Sequence, residues 1–481
     1  MLNHISENES VTVHPARSRF DWSCNLWLLI AVIAMLLSTG ATGICADELR
    51  LATFSADVSP PLHQRACVGF IKEFTQVEDP LLAKGIVLKS AGQRYVICAI
   101  DYCGLCNDSY DMFREKIAAA ADTTTSQVSV QSLHQHTAPV FDINTDRILY
   151  ADDPEQLQAG ITAAESAADV VATAVKNALT KLEPVTHIAT GKAKVDRVAS
   201  NRRVPQPDGS LLVRYSAAAG DPVLRDAPEG IIDPWLRTIT FYQEERPLVR
   251  LHYYASHPQS RSGPIVTSDV PGVARERLEE DEQVPQIYFT GCGGNVAMGK
   301  YNDGSEEARA ALTERMFDGM QAAVADCDGN KRQPVEQFVW RSAEVELPLR
   351  RDAEFTLQAA RQIADDEQVG FSERLRKAML AAWIERVQAG RPIEFTAWSV
   401  AEVDVVHLPG EPFVQFQLAA QQERPDRFVC IAGYGECAPW YIGEDRIYTD
   451  NGGYEQSWSF VGPCEEVMHS TIEGLLSETG R

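Results

Sequence analysis

The stretch VSVQSLHQHTAPV (residues 128–140) sets two histidines, His134 and His136, one residue apart at the end of an alternating run. If that run is a strand, Val128, Val130, Ser132, His134 and His136 share one parity and project from one face. Two imidazoles at a strand end, just before a Thr-Ala-Pro turn, suit metal ligation, or one ligand beside a proton-transfer partner. The plainer alternative is a polar strand end with two exposed histidines. Three more places put metal-competent or catalytic side chains at the end of a strand-like segment: His257 in YYASHPQS, Glu411 in HLPGEPF, and the tyrosine-rich PWYIGEDRIYTDNGGYE at 439–455. Singly, a histidine before proline reads as a loop residue, and a glutamate after Pro-Gly as a helix N-terminal carboxylate. Their recurrence at strand ends, where α/β proteins assemble sites, is the stronger signal. His252 lies on the strand of His257 at odd spacing, so it faces the other side and reads as structural. His407 reads the same way.

The elements that must position these residues alternate between strand and helix patterns. GIVLKSAGQRYVICAID (85–101) predicts two strands around a Ser-Ala-Gly turn, and 153–182 a helix with Asp153 as N-cap and Pro154 in its first turn. Residues 236–258 predict a hairpin whose second strand ends at His257, and 285–299 a short buried strand running into the glycine-rich loop GCGGN. Helices are expected from Ser305 to 326 and over 353–389 with a break near Gly370; 398–416 reads as strand, Pro-Gly turn and helix. No internal repeat is visible. The expected class is α/β, a mixed twisted β-sheet flanked by helices in a single large catalytic domain over 47–481; the hairpins rule out a purely parallel sheet. In GCGGN no Lys-Ser/Thr follows and no G-x-G-x-x-G is completed, so close backbone packing explains the glycines better than phosphate binding.

The 481 residues carry 44% hydrophobic content and ordinary glycine, proline and charge fractions, as a globular protein does. A formal charge of −24 without a basic patch argues against nucleic acid and against electrostatic docking to anionic lipid. Residues 1–46 read as a separate object: Arg17 and Arg19, then the apolar run LWLLIAVIAMLL (26–37), then small residues. That pattern predicts export through a signal peptide cleaved after Gly43 or Ala46, or a membrane anchor if the segment stays. Of eleven cysteines, nine lie beyond Ala46, at spacings that define no disulfide framework. CGLC (103–106) lacks a second CxxC to complete a four-thiolate site, which leaves a disulfide or two buried thiols.

Taken in order, the motifs resemble the catalytic domain of the neutral/alkaline, non-lysosomal ceramidase family. FSADVSPPL (54–62) resembles its opening Asp-Ile-Thr-Pro segment, and DPLLAKGIVLKSAGQRYVICAID the strand pair after it. LHQHTAP corresponds to its Thr-His-Thr-His-Ser-Gly-Pro motif, SNRRVP (200–205) to Asn-Arg-Ser-Pro, and ASHPQS to its second histidine motif. GCGGNVAMG corresponds to its Gly-Asp-Val-Ser-Pro-Asn loop, LPGEP to Pro-Gly-Glu, and YIGEDRIYTDNGGYE to its tyrosine-rich run. The likeness spans about residues 48–477.

The resemblance implies one zinc per chain bound by His134, His257, Glu411 and Tyr441, with His136 as acid/base and Arg202 and Tyr454 holding the substrate carbonyl or oxyanion. It implies hydrolysis of the N-acyl amide of ceramide or a related N-acyl lipid by a metal-activated water, with peripheral membrane contact. Two departures bear on this. The family's loop serine falls on Ala297, which excludes a serine nucleophile there, and its loop Asp becomes Asn295. The β-sandwich that usually follows the catalytic domain is expected to be absent. A catalytically silent ceramidase-like binding protein, or a zinc hydrolase for another amide or an ester, are the alternatives.

Overall fold

The fold rests on one topological unit used three times. The computed structural model describes residues 48–63 and 73–477; the expected N-terminal signal or anchor lies outside them. In the first unit β1 (Arg50–Asp57), β2 (Leu82–Ser90) and β3 (Gln93–Ile100) run antiparallel, helix α1 (Asp108–Ala121) crosses over, and β4 (Val128–Ser132) returns parallel to β3. Helix α2 (Pro154–Ala178) then leads to a two-residue strand, Glu183–Pro184, that closes the sheet on β1.

The second unit repeats this order. Strands β5 (His187–Lys194), β6 (Trp235–Gln243) and β7 (Arg246–Tyr254) are antiparallel, α3 (Asp269–Glu282) crosses over, and β8 (Gln286–Thr290) lies parallel to β7. Helix α4 (Glu306–Gly329) is followed by Gln333–Pro334, paired back onto β5. The third unit has β9 (Phe338–Val345), then the inserted helices Leu357–Ala364 and α5 (Phe371–Gln388), then β10 (Ile393–Val400) and β11 (Val403–His407). Helix α6 (Val414–Glu423) crosses over to β12 (Phe428–Ala432), parallel to β11, and α7 (Glu465–Leu476) ends the described chain.

The α/β class is therefore as expected, with the strands sorted into three main mixed sheets plus short two-stranded ribbons. The repeat is invisible in the residues because each unit keeps only a burial pattern, and many apolar sequences satisfy it. Local signals read well. Ala91 and Gly92 both have positive φ (49° and 76°), the geometry of a two-residue type I′ hairpin turn between β2 and β3. Asp153 accepts from the Gln156 amide and Ser305 from the Ala308 amide, each satisfying an orphan donor of the helix it opens.

The outer parallel strands meet where their C-terminal ends are stitched together. Ser132 N donates to Tyr434 O (2.8 Å), Gly433 N to Thr290 O (2.9 Å) and Thr290 Oγ1 to Leu133 O (2.8 Å). Asp101, just past β3, takes a bidentate pair of bonds from Arg275 of α3 at 2.8 and 2.9 Å, both side chains fully buried. Breaking such a pair strands a charge in the interior, at a cost of about 3–5 kcal/mol, so it fixes the first unit against the second. Apolar clusters fill the space between sheets and helices.

Two expectations need correction. Strand β4 ends at Ser132, and His134 has φ +72°, so the two histidines do not share a strand face. The hairpin's second strand ends at Tyr254, and His257 sits beyond it in a turn. In both cases the chain must leave the sheet before it can aim an imidazole across the strand ends. The CGLC cysteines, for their part, form no bridge with one another, and Cys106 is a buried thiol.

Candidate metal centre

Every strand of the three parallel pairs delivers a residue or loop to the same place. The first strand of each pair ends a few residues before a polar side chain: β3 before Cys103, β7 before His257, β11 before Glu411. The second strand leads to His134, to the glycine loop 291–294, and to Tyr434. Carboxyl ends of adjacent parallel strands open a crevice because the chain departs from them in divergent directions. Non-glycine residues held at positive φ gather here, namely His134 (72°), Tyr434 (64°) and Trp440 (56°). Each costs about 1 kcal/mol or more, and such strain persists where surrounding packing over-determines it.

Three ligand atoms converge. His134 Nε2 and His257 Nε2 each lie 3.3 Å from Glu411 Oε2, and all three side chains are at most 1% exposed. Donors placed ~2.0–2.1 Å from one tetrahedral cation are separated by about 3.3–3.4 Å, so the spacing is that of ligands around a common centre. The chemistry of the vacant valences agrees, since His257 Nε2 and Glu411 Oε2 are buried and have no hydrogen-bond partner among the described residues. Buried polar atoms left this way cost about 1–3 kcal/mol each, which a bound cation removes.

The second contacts of the imidazoles fix which nitrogen faces the centre. His134 Nδ1 lies 2.5 Å from Cys103 O, and His257 Nδ1 3.0 Å from Gly293 O. A carbonyl only accepts, so each Nδ1 carries the proton and each Nε2 lone pair is presented inward. Burial opposes protonation of His134, but the Glu411 carboxylate outweighs it and lifts the imidazole to about 10. His257 moves the opposite way, driven well below the usual value by burial and then by Arg202 and His134. One proton shared over a carboxylate and two imidazoles is what a divalent cation replaces.

The glycine loop earns its composition here. A Cβ on Gly294 would lie 2.2 Å from Glu411 O, and one on Gly293 2.8 Å from Tyr434 Oη and 3.1 Å from His257 N. Asn295 ties the loop to the third unit: its Oδ1 accepts from Val414 N (2.9 Å) at the start of α6 and its Nδ2 donates to Gln415 Oε1 (2.9 Å). Ala297 pairs with Ser200 on one side and His257 on the other and is fully buried.

A second wall carries Arg202, Tyr441 and Tyr454. Tyr441 sits beside Glu411 in a two-residue parallel pair. Arg202 Nη1 donates to Tyr441 Oη (3.1 Å) and to Tyr454 Oη (2.5 Å), while Nη2 donates to Ser216 Oγ (3.2 Å) and Gln259 Oε1 (3.4 Å). Tyr454 Oη in turn donates to Gly294 O (3.1 Å). The loop bearing Tyr454 is pinned by Arg203, which bonds Glu455 Oε2 at 2.8 Å and also reaches Asp450. His136 lies between the walls, its ring 5.2 Å from that of His134 and 5.4 Å from that of His257. Burial, then His134 and Arg202, hold it well below the ordinary imidazole range, and its Nε2 is buried without a partner among the described residues.

All seven site residues expected from the sequence thus lie around one centre: the His134–His257–Glu411 group, His136 beside it, and Arg202 with its two tyrosines. Sequence reasoning passed over Tyr434, Ser216 and Gln259. Gln259 stood inside the histidine motif YYASHPQS, the one visible signal. The two histidines set aside as structural are so: His252 bonds Thr238 (2.9 Å) and Gln286 (2.7 Å), and His407 bonds Thr396 (2.9 Å).

No protein-family model and no curated protein matches this chain. Solved structures do. The neutral ceramidase from Pseudomonas aeruginosa superposes with a TM-score of 0.63 at 14% identity, covering 89% of this chain and 73% of its own. A ceramidase complexed with C2 superposes with a TM-score of 0.63 at 15% identity, covering 89% and 74%. The fold is ceramidase-like.

Proposed function

We propose that this protein is a zinc-dependent amidohydrolase that cleaves the N-acyl amide bond of ceramide or a related N-acyl lipid. One observation carries the reading: three buried donors come from three different structural units, each imidazole Nε2 is 3.3 Å from the carboxylate oxygen, and two of the three have no other partner among the described residues. Two imidazoles and a carboxylate are the donor set of hydrolytic zinc sites, and Tyr441, held beside Glu411, completes four. The ceramidase-like fold supports the substrate class.

When bound, zinc supplies Lewis-acid polarisation of a carbonyl and a water whose pKa is lowered to about 7. The residues of the chain do the rest. His136, kept neutral by burial beside the candidate centre, would hold a proton at its unpartnered Nε2 and pass it to the leaving amine. Arg202 and Tyr454 orient the acyl oxygen and hold the negative charge that develops on it, one such donor contributing about 3–4 kcal/mol. The bond between the two is preformed, and the Tyr454 hydroxyl turns from Gly294 O to donate to the acyl oxygen. Ser216 and Gln259 fix the far edge of the guanidinium. The substrate is lipid-like, reached by peripheral contact with a membrane surface after export; among the described residues no helix is long and apolar enough to cross a bilayer.

Ala297 favours a second reading, a silent relative that binds the same lipid. A panel of fluorogenic N-acyl amides and esters, with ceramides of several chain lengths, separates the two when run with and without chelator. Chelator-sensitive turnover that zinc restores is expected. Stoichiometric zinc with no turnover on any member would establish the binder.

A further inference from the structure

The three-fold repeat of the topology assigns Cys103 a position. His257 follows the end of β7 by three residues and Glu411 follows the end of β11 by four; Cys103 follows the end of β3 by three. In two units this position holds a ligand of the proposed zinc, and in the first it holds a thiol. The thiol lies on the other edge of the shared imidazole: Cys103 Sγ is 3.9 Å from His134 Nδ1. Ligand atoms of Cys103, His134 and His136 all fall within 4.8 Å of one another. Sulfur and nitrogen held by one tetrahedral cation, at about 2.3 and 2.05 Å, are about 3.6 Å apart, within a few tenths of what is found. His136 brings a buried Nε2 that nothing among the described residues satisfies.

We propose that Cys103, His134 and His136 form a second seat, for a thiophilic cation, that overlaps the zinc seat at His134. A thiolate with two imidazoles selects soft and borderline ions such as cadmium, mercury or cuprous copper, and disfavours magnesium and calcium. Capture releases the Cys103 thiol proton to solvent. It also takes the Nδ1 lone pair of His134, which gives up its bond to Cys103 O, and the ring proton moves to Nε2. There it faces Glu411 Oε2 as an N–H donor and no longer ligates the first seat. The seats are thus mutually exclusive, and a thiophilic cation inhibits by drawing a ligand away rather than by displacing zinc at its own place. Only that competitive part rests on the function proposed above.

Cadmium titration tests the seat, because a cadmium–thiolate bond gives a charge-transfer band in the near ultraviolet that imidazole and carboxylate ligands do not. The wild-type protein should develop the band at one equivalent. Cys103→Ser and Cys103→Ala should lose it, Cys106→Ser should keep it, and thermal melts report whether each variant is folded. Glu411→Ala and His257→Ala should lose zinc at least tenfold in affinity yet keep the band. Inhibition of the zinc enzyme by cadmium should weaken at least tenfold in Cys103→Ser, each variant compared with its own uninhibited rate. No band at saturating cadmium overturns the seat. So does a band that vanishes in Glu411→Ala and His257→Ala, since the thiolate would then belong to the first seat. If Glu411→Ala keeps its zinc, the proposed hydrolase fails instead, while the thiolate result stands.

Discussion

The two walls of the crevice are built differently. His134, His257 and Glu411 sit within four residues of strands that belong to the three sheets, and both imidazoles are locked by backbone carbonyls. Arg202 comes from an excursion between β5 and β6, and Tyr454 from one between β12 and α7, both outside the repeated unit. Their registration depends on side chains: Arg203 with Glu455 and Asp450, and Arg202 with Ser216 and Gln259. The ligand wall inherits the rigidity of the sheets, whereas the polar wall is fastened to itself. Loss or gain of a group on the polar wall is therefore expected to change what is bound without disturbing the centre.

Removing a ligand should break the first wall. Glu411→Ala leaves two imidazoles and at most a phenol, and is expected to lose stoichiometric zinc by elemental analysis. Activity should fall by about 10³-fold or more, the several kcal/mol that the cation contributes to stabilising charge. Zinc retained at full occupancy in this variant would sink the assignment. The second wall should break differently. Arg202→Ala should keep its zinc and lose about 10²–10³ in kcat, the usual cost of one preorganised donor to the oxyanion. Arg202→Lys should recover little, because one ammonium cannot reach two phenols on one edge and Ser216 and Gln259 on the other.

How much of this was legible follows from the same contrast. The convergence of His134, His257 and Glu411 was readable because strand patterns end where the polar residues begin, and because His, Glu and Tyr recur there. Helix starts at Asp153 and Ser305 were readable because capping is local. The strand face shared by His134 and His136 was not, since a left-handed residue at His134 is settled by tertiary packing that alternation does not encode. The threefold unit was hidden for a related reason: sheet topology is conserved by burial, and burial admits many sequences. Ser216 and Gln259 were missed because loops carry no period. Their partners lie 14 and 57 residues away from them, at Arg202.

The framework under the ligand wall predicts an acid limit. Burial holds His252, on the same strand that leads to His257, down to about 4, and His407, at the end of the strand that leads to Glu411, down to about 3. Both folded values lie below the unfolded value of ~6.5, so as pH falls the unfolded chain binds protons first. Their contribution is complete above about pH 6.5 and is lost as pH drops toward 4 and then 3. At pH 5 each has cost about 2 kcal/mol of stability, at ~1.4 kcal/mol per pH unit. Urea unfolding of the wild type and of His407→Leu at pH 7.5 and pH 5 isolates the term: between the two pH values the variant should lose about 2 kcal/mol less stability than the wild type. An unchanged midpoint difference in that variant would place the acid sensitivity elsewhere.

The smallest expected effect separates the walls most cleanly. Ala297→Ser adds one hydroxyl between Ser200 and His257, next to the centre and part of no ligand. In a closed site the extra atom costs about 1 kcal/mol, and more if its hydroxyl finds no acceptor. Zinc content should not change, because the three donors stay on their own strand ends. Substrate ranking should change, by about three- to tenfold in kcat/KM in favour of N-acyl substrates with a hydroxylated head over their deoxy analogues. A hydroxyl that gains a partner only when such a head is bound contributes about 1 kcal/mol. Were zinc to be lost instead, position 297 would belong to the ligand wall, and the division between a rigid metal framework and an adjustable substrate face would be wrong.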